Sequence, residues 1–458
     1  MTTTTATRRG YLAHVTRVSG MAGAAVLAPA GALALAACGS SEGGASPRAT
    51  NHLAGTIEFW HWGTSYEEGF QKLADEFNNG HDGARVNRTM PAGYDDKIQV
   101  SIAADSGGPD AYMQRGPQHK QWSHDGLGID LSGYLAKDKA AAADMTKMHK
   151  VFAEYYHYQG KLYGVPWDFS TISVAYNVND MRARGLTPPA ELGTKWDWDT
   201  FTEYAKKLTP GDGSHYGVDA NPGIEIGYYN WVAANGGDFF AKDYKKSVAS
   251  APRFVEAVEA YTALAHRLAV SPPRAWKSER TKGLAHAAHL LSQGMVSMQT
   301  AGDWFFRWYD KTPGFEWDIA PMPYAPQTRK TASIANFRGL VIAPTSKNKE
   351  LAWAWIANLM TRGVQDRVPD LFGEVPARMD SIEAEYLNSA KAPSPTHRKL
   401  LKAAIDATHA LPAHPLIPRP EFNAAVVAVN EVYDGTRPAR EVLTEIEQKL
   451  NVLIGGGV

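Results

Sequence analysis

The chain has 458 residues, 44% of them hydrophobic and 21% charged, enough for a buried core and too long for a single small domain, so two or three domains are expected. Its formal net charge is -1, and setting aside Arg8, Arg9 and Arg17 leaves 44 basic against 48 acidic side chains. A weakly acidic chain with no basic block is not built to hold nucleic acid.

The first 37 residues carry those three arginines and no acid. Thr7-Arg8-Arg9-Gly10-Tyr11-Leu12 is similar to a twin-arginine export motif, with a generic basic leader as the alternative. A mildly apolar run from Gly20 to Ala37 follows, broken by Pro29. It closes on Leu35-Ala36-Ala37-Cys38, the pattern of a bacterial lipobox, so cleavage is expected rather than a membrane span. Cys38 is the only cysteine, which excludes disulfides, cysteine metal sites and cysteine nucleophiles from the body. A diacylglycerol thioether on its sulfur would hold the protein at a membrane surface. Residues 38–51, rich in Gly and Ser, read as a flexible tether.

Along the body, 56–60 reads as a strand, and a helix opening at Ser65 puts Phe70, Leu73, Ala74 and Phe77 on one face. A strand near Val86, a helix over 95–104, a Gly107-Gly108-Pro109-Asp110 turn and a strand at 111–113 complete a βαβαβ rhythm, the mark of a parallel sheet with helices on its faces. Asp110 should cap or turn that loop. Over 163–177, Pro166 suits a strand edge or a crossing point, and 172–176 alternates as a strand. Locally this is either a hinge with Trp167 and Asp168 beside it or an ordinary edge strand.

Asp197 or Asp199 caps a helix through Leu208, helices follow over about 225–235 and around Phe254 to Leu268, and strands return at 295–300, 317–323 and 339–343. The last hundred residues are helical, with Leu443, Ile446, Leu450 and Leu453 at core spacing. Trp60, Trp198, Trp353 and Trp355 fall at packing positions.

No hydrolase, zincin, P-loop or dinucleotide fingerprint is present. His286 and His289 share a helix face but lack an acidic partner, and Asp95-Asp96 and Asp197/Asp199 read as helix-start carboxylates rather than a glycosidase pair.

Six stretches in order carry a family resemblance: T-I-E-F-W-H-W-G at 56–63, G-G-P-D at 107–110, G-V-P-W-D-F-S-T-I-S-V-A-Y-N at 164–177, G-L-T-P-P at 185–189 with W-D-T-F-T-E-Y-A-K-K-L-T at 198–209, Q-G-M-V-S-M-Q-T-A-G-D-W at 293–304, and G-L-V-I-A-P-T-S-K-N-K-E-L-A-W at 339–353. Together with the lipoprotein leader they make the chain resemble the extracellular solute-binding proteins of bacterial ABC importers, in the carbohydrate-binding family that includes maltose-binding protein.

The resemblance implies an α/β, two-lobed periplasmic-binding-protein fold of the Venus-flytrap type, each lobe a β-sheet flanked by helices, with three interlobe crossings. These would lie near Val165-Pro166, near 321–324 and near 361–363. The first lobe would be 52–165 plus 325–362, the second 166–324 plus 363–458. It implies a monomeric receptor, not an enzyme, with no cofactor and no metal, its partners a carbohydrate and the ABC permease subunits. Carried onto this sequence, the ligand-facing residues would be Trp62, Gln114, Trp167, Asp168, Tyr228, Trp231, Asp303, Trp304, Arg338 and Arg378. Arg338 and Arg378 keep open a charged solute such as a phosphorylated polyol or acidic sugar, and a glycan-acting surface enzyme is the reading from another class. Asn336-Phe337-Arg338 stands where the family commonly has small glycines, which changes the pocket on that side.

Overall fold

A computed structural model describes residues 53–280, 282, 289–388 and 397–456. The leader with Arg8 and Arg9, Cys38 and the tether, and His286, lie outside the described residues.

Strands β1 (Gly55–Trp60), β2 (Ala84–Thr89) and β3 (Ala111–Arg115) run parallel, β1 between the other two. The helix Glu67–Asn79 crosses from β1 to β2 and buries Phe70, Leu73, Ala74 and Phe77, one 3.6-residue stripe. It starts two residues later than expected, because Thr64–Tyr66 forms a 3-10 turn first. The next helix, Tyr94–Ala103, begins after Gly93 in a left-handed conformation, with Asp95 and Asp96 in its first turn rather than at the cap. Asp110 does not cap a helix either: its carboxylate accepts from the Glu58 amide at 2.9 Å and the Ser346 hydroxyl at 2.6 Å, stitching neighbouring segments.

A short hairpin, β4 (His157–Tyr158) and β5 (Lys161–Leu162), leads into β6 (Val165–Phe169). Next comes β7 (Ile172–Asn177), then β8 (Tyr216–Asp219), β9 (Val296–Gly302) and β10 (Trp317–Ala320), which form a four-stranded sheet in the order β10-β7-β9-β8. Asp197 caps the helix Trp198–Leu208 by accepting from the Thr200 amide at 3.1 Å, as its position in the sequence suggests. The remaining strands are β11 (Ser333–Ala335), β12 (Phe337–Ile342), β13 (Val375–Pro376) and β14 (Thr408–Ala410). The larger sheet has the order β13-β6-β12-β3-β1-β2, and β11 pairs β14.

This pairing moves the expected boundaries. Val165-Pro166 is not a crossing but part of β6, inside the six-stranded sheet. Pro166 is tolerated there because it faces Gly339 at a β-bulge, and β13 reaches only Asp168 and Phe169. The chain changes sheet at Ser170 and Thr171, since Phe169 pairs with Phe337 in one sheet and Ile172 with Gly302 in the other. It changes back around Asn336, between β11 and β12. The two passages lie side by side, with the Ile172 amide donating to the Ser333 hydroxyl at 2.8 Å. Near 361–363 the chain stays with the first sheet, because β13 pairs β6 further on.

One hydrophobic cluster fills the larger sheet and reaches one face of the smaller, and a second packs that sheet's other face against helices such as Pro252–His266 and Ala439–Ile454. Among the described residues no helix is long and apolar enough to cross a membrane.

Candidate functional site

Where the sheets meet, a set of polar side chains is buried. Asp168 and Arg338 are cross-strand partners on β6 and β12, so their side chains leave the sheet on one face. The Arg338 Nε donates to Asp168 Oδ1 at 2.5 Å and its Nη2 to Glu374 Oε2 at 2.6 Å, while the Tyr66 hydroxyl donates to Asp168 Oδ2 at 2.8 Å. Burial raises both carboxyls, Glu374 to about 7, against the pull of the shared guanidinium. Asp303 lies close by. Its Oδ2 accepts from the Thr171 amide at 3.2 Å and the Tyr386 hydroxyl at 3.3 Å. Burial and then the Glu374 charge push the Asp303 carboxyl well above its ordinary value, with Arg338 opposing them.

Across the seam stands half-buried Glu225. Burial raises its carboxyl, and the charges of Arg338 and Arg419 and the nearby Asn336 side chain oppose that rise. Arg419 is also close enough to Tyr155 and Tyr228 for charge to act between them. Several polar atoms here are buried without a protein partner: the hydroxyls of Tyr156, Ser170, Thr171 and Tyr228, Asp303 Oδ1 and Asn336 Oδ1. Dehydrated polar groups left unpaired are costly, and a hydroxyl-rich ligand or water supplies what they lack.

Of the expected residues, the seam gathers Asp168, Asp303, Arg338, Tyr228 and Trp304. The Trp304 ring is half-buried, packs against both hydrophobic clusters, and lies on Gly302, where an added Cβ would come within 2.1 Å of it. Trp62 borders this region. Its ring lies 6.0 Å from Tyr66 and beneath the Arg115 guanidinium, 4.5 Å away.

Four residues are not free to face a ligand. Trp167 is fully buried in the first sheet's core between Phe70 and Phe372, with centroids 5.3 and 5.5 Å away. Trp231 stacks on Trp198 at 4.4 Å and 17° within the second cluster. Gln114 is buried with its Oε1 against His119 Nδ1 at 2.8 Å. Arg378 is a structural clamp, held by Asp144 at 2.6 Å and by both oxygens of Asp380 at 2.9 Å. The partners named for each belong to the residue's own half of the protein.

Glu225, Asn336, Glu374, Tyr156 and Arg419 were missed in the sequence. Glu225 lay three residues before the flagged Tyr228, and Asn336 sat within the flagged Asn336-Phe337-Arg338. Glu374, Tyr156 and Arg419 had no local signal, because only the pairing of distant strands brings them in.

Residues 72–394 match the family model for the bacterial extracellular solute-binding protein. The chain belongs to that family. Binding of a solute outside the cytoplasm, rather than turnover, is what the family does. No curated protein matches the chain at the sequence level. Solved structures share its fold. An ABC substrate-binding protein from Listeria monocytogenes in complex with cycloalternan is 22% identical with a TM-score of 0.75, covering 87% of this chain and 99% of that one. The sugar-binding protein MalE of Xanthomonas citri is 18% identical with a TM-score of 0.75, covering 88% and 98%. The cyclic alpha-maltosyl-1,6-maltose binding protein of Arthrobacter globiformis is 18% identical with a TM-score of 0.74, covering 88% and 100%. These likenesses give the two-lobed architecture.

Proposed function

We propose that this solute-binding protein captures a sugar or small oligosaccharide between its two lobes and delivers it to an ABC permease. The observation that carries the reading is the seam itself. Unpaired hydroxyls of Ser170 and Thr171 on one passage and the unpaired amide oxygen of Asn336 on the other lie where the sheets meet, and half-buried Trp304 packs against the hydrophobic clusters of both sheets. Sugars offer C–H faces to aromatic rings and hydroxyls to such groups. The three similar structures named above were solved for proteins that bind sugars by their own descriptions, which agrees with it. Binding would favour the closed arrangement over an open one, and the permease would read the closed surface.

The same proposal places the mature protein on the outer face of the membrane, exported through its twin-arginine-like leader and held by lipid on Cys38, as a monomer. The lobes are taken as the six-stranded and four-stranded sheets with their helices. The charged-solute alternative loses its two arginines, since Arg338 and Arg378 are each already paired with two carboxylates.

Calorimetric titration of the purified chain with neutral sugars, phosphorylated polyols and uronic acids tests this. Specific, saturable binding of a neutral sugar that is recovered unchanged supports it. Binding of anionic solutes alone, or consumption of the sugar, overturns it.

A further inference from the structure

Glu225 stands on the loop 220–227, which leaves the end of β8 and enters the helix Tyr228–Ala234. The loop belongs to no strand or helix, so its place depends on what satisfies its backbone groups. At its base the Ala220 amide donates to the Ser271 hydroxyl at 3.0 Å, and the Asn221 carbonyl accepts from the Tyr261 hydroxyl at 2.9 Å. The chain then winds back on itself. A Cβ on Gly227 would stand 2.0 Å from the Asn221 carbonyl oxygen and 2.2 Å from that of Gly223, so no side chain fits there.

The far end of the loop is held by one side chain. Asn230 is fully buried. Its Nδ2 donates to the carbonyls of Glu225 at 2.8 Å and Gly227 at 3.0 Å, and its Oδ1 accepts from the Ile334 amide at 2.8 Å. Two acceptors face the nitrogen and a donor faces the oxygen, so the partners fix which way the carboxamide points. No other side chain of this size meets that pattern. Asp would set a carboxylate against two carbonyls, and Leu has the shape without the polar atoms.

Ile334 is the middle residue of β11, on the way back to Asn336. Its neighbour Ser333 accepts from the Ile172 amide of the outgoing passage at 2.8 Å. Asn230 therefore ties the backbone of Glu225 to the place where the two passages run side by side. The Asn336 side chain, two residues beyond Ile334, lies near the Glu225 carboxyl. Both N–H groups of Asn230 are committed to protein carbonyls, so its influence on a ligand passes through Glu225.

We infer that Asn230 is a positioning residue for ligand recognition, which fixes Glu225 against the returning passage so that its carboxyl group and the Asn336 side chain meet a sugar hydroxyl together. The inference rests on the sugar-capture reading above and adds to it a residue that donates nothing to the ligand. Such a residue contributes to affinity only while the group it positions is present.

The test is a double-mutant cycle by calorimetry on the full chain. Single sugars and trimers of the gluco (α- and β-linked), manno and xylo series are titrated first, and the tightest binder is used for the cycle. Asn230→Leu and Glu225→Ala should each weaken binding about tenfold or more, the loss expected for a hydrogen bond to a charged group. The double variant should bind as Glu225→Ala alone does, because Asn230 then has nothing to position. Asn230→Ser, which keeps a hydroxyl donor and disturbs the core less, should show the same lack of additivity with a smaller single loss. Losses that add in the double variant show Asn230 acting on the fold at large and overturn the inference. So does wild-type affinity in the Asn230 variants or in Glu225→Ala, or an Asn230→Ser chain that no longer unfolds cooperatively in urea. Each of these leaves sugar capture standing. Failure of every series to bind the wild type overturns both.

Discussion

Asp168 and Arg338 stand directly opposite each other on β6 and β12 with carboxylate and guanidinium 2.5 Å apart, and the other arm of the guanidinium is taken by Glu374. All three side chains are almost fully buried. Taking such charges out of water is expensive, and their mutual attraction offsets this only while the set is complete. Removing one partner therefore costs more than the pair contributes. Asp168→Ala should destabilise the protein by about 3 kcal/mol in urea unfolding, the usual cost of stranding a buried partner. The double variant Asp168→Ala with Arg338→Met should recover part of that loss. A single variant as stable as the wild type would contradict the finding that the set is closed to water.

Glu374 gives this cluster a pH dependence. Burial raises it from 4.5 to about 7, with Asp168 adding to the rise and Arg338 opposing it. The folded protein therefore holds a proton that the unfolded chain releases first. Stability from this group is fully present below about pH 4.5 and is lost as pH rises to about 7. Asp168 and Asp303 are raised as well and act in the same direction. Urea midpoints measured from pH 4.5 to 7.5 should slope downward more steeply in the wild type than in Glu374→Gln. Parallel curves would show that Glu374 titrates as an ordinary surface acid.

Regular elements were legible because their signals are local. The stripe Phe70, Leu73, Ala74 and Phe77 and the alternation of 172–176 are properties of neighbouring residues, and both elements form where those patterns lie. Pro166 misled because a proline argues against an inner strand, and what permits it is Gly339 at a bulge far away in sequence. Asp168 and Arg338 were both among the residues expected near the ligand, yet their pairing needs the register of two strands 170 positions apart. Trp167 follows the same logic in reverse. Nothing near it in the sequence reveals that Phe70 and Phe372 cover its ring.

Trp231 separates packing from recognition. It is 1% exposed and stacked on Trp198, with Phe201 and Tyr261 edge-on to it. Trp231→Ala should cost about 3–5 kcal/mol, the range for deleting a buried large aromatic. Where the variant remains folded, its sugar affinity should stay close to that of the wild type. Loss of affinity with little change in the urea midpoint would return Trp231 to the binding surface.

The proposed lipid attachment makes a separate prediction. Because Cys38 is the only cysteine, one substitution removes every thiol on which a lipid could be placed. Cys38→Ser should move the exported protein from the detergent-rich to the aqueous phase in a cloud-point partition and release it from cells. Equal partition of the two forms would refute lipid attachment at this residue.

Trp304 is the aromatic on which sugar recognition should depend most. Unlike Trp167 and Trp231 it is only half-buried, and it packs against both hydrophobic clusters where the two sheets meet. Gly302 supports the ring from below, and its missing Cβ is what lets the indole lie flat against β9, since a methyl group there would come within 2.1 Å of ring carbons. Trp304→Ala should weaken sugar binding by more than about tenfold, since aromatic stacking contributes on the order of 1–1.5 kcal/mol beyond the area it buries. It should leave the urea midpoint far less changed than Trp231→Ala does. Gly302→Ala should weaken binding in the same direction by pushing the ring off its seat while the indole itself remains. If calorimetry finds the wild-type affinity in both variants, the sugar does not rest on Trp304, and the recognition surface must be sought among Glu225, Asn336 and Tyr228 instead.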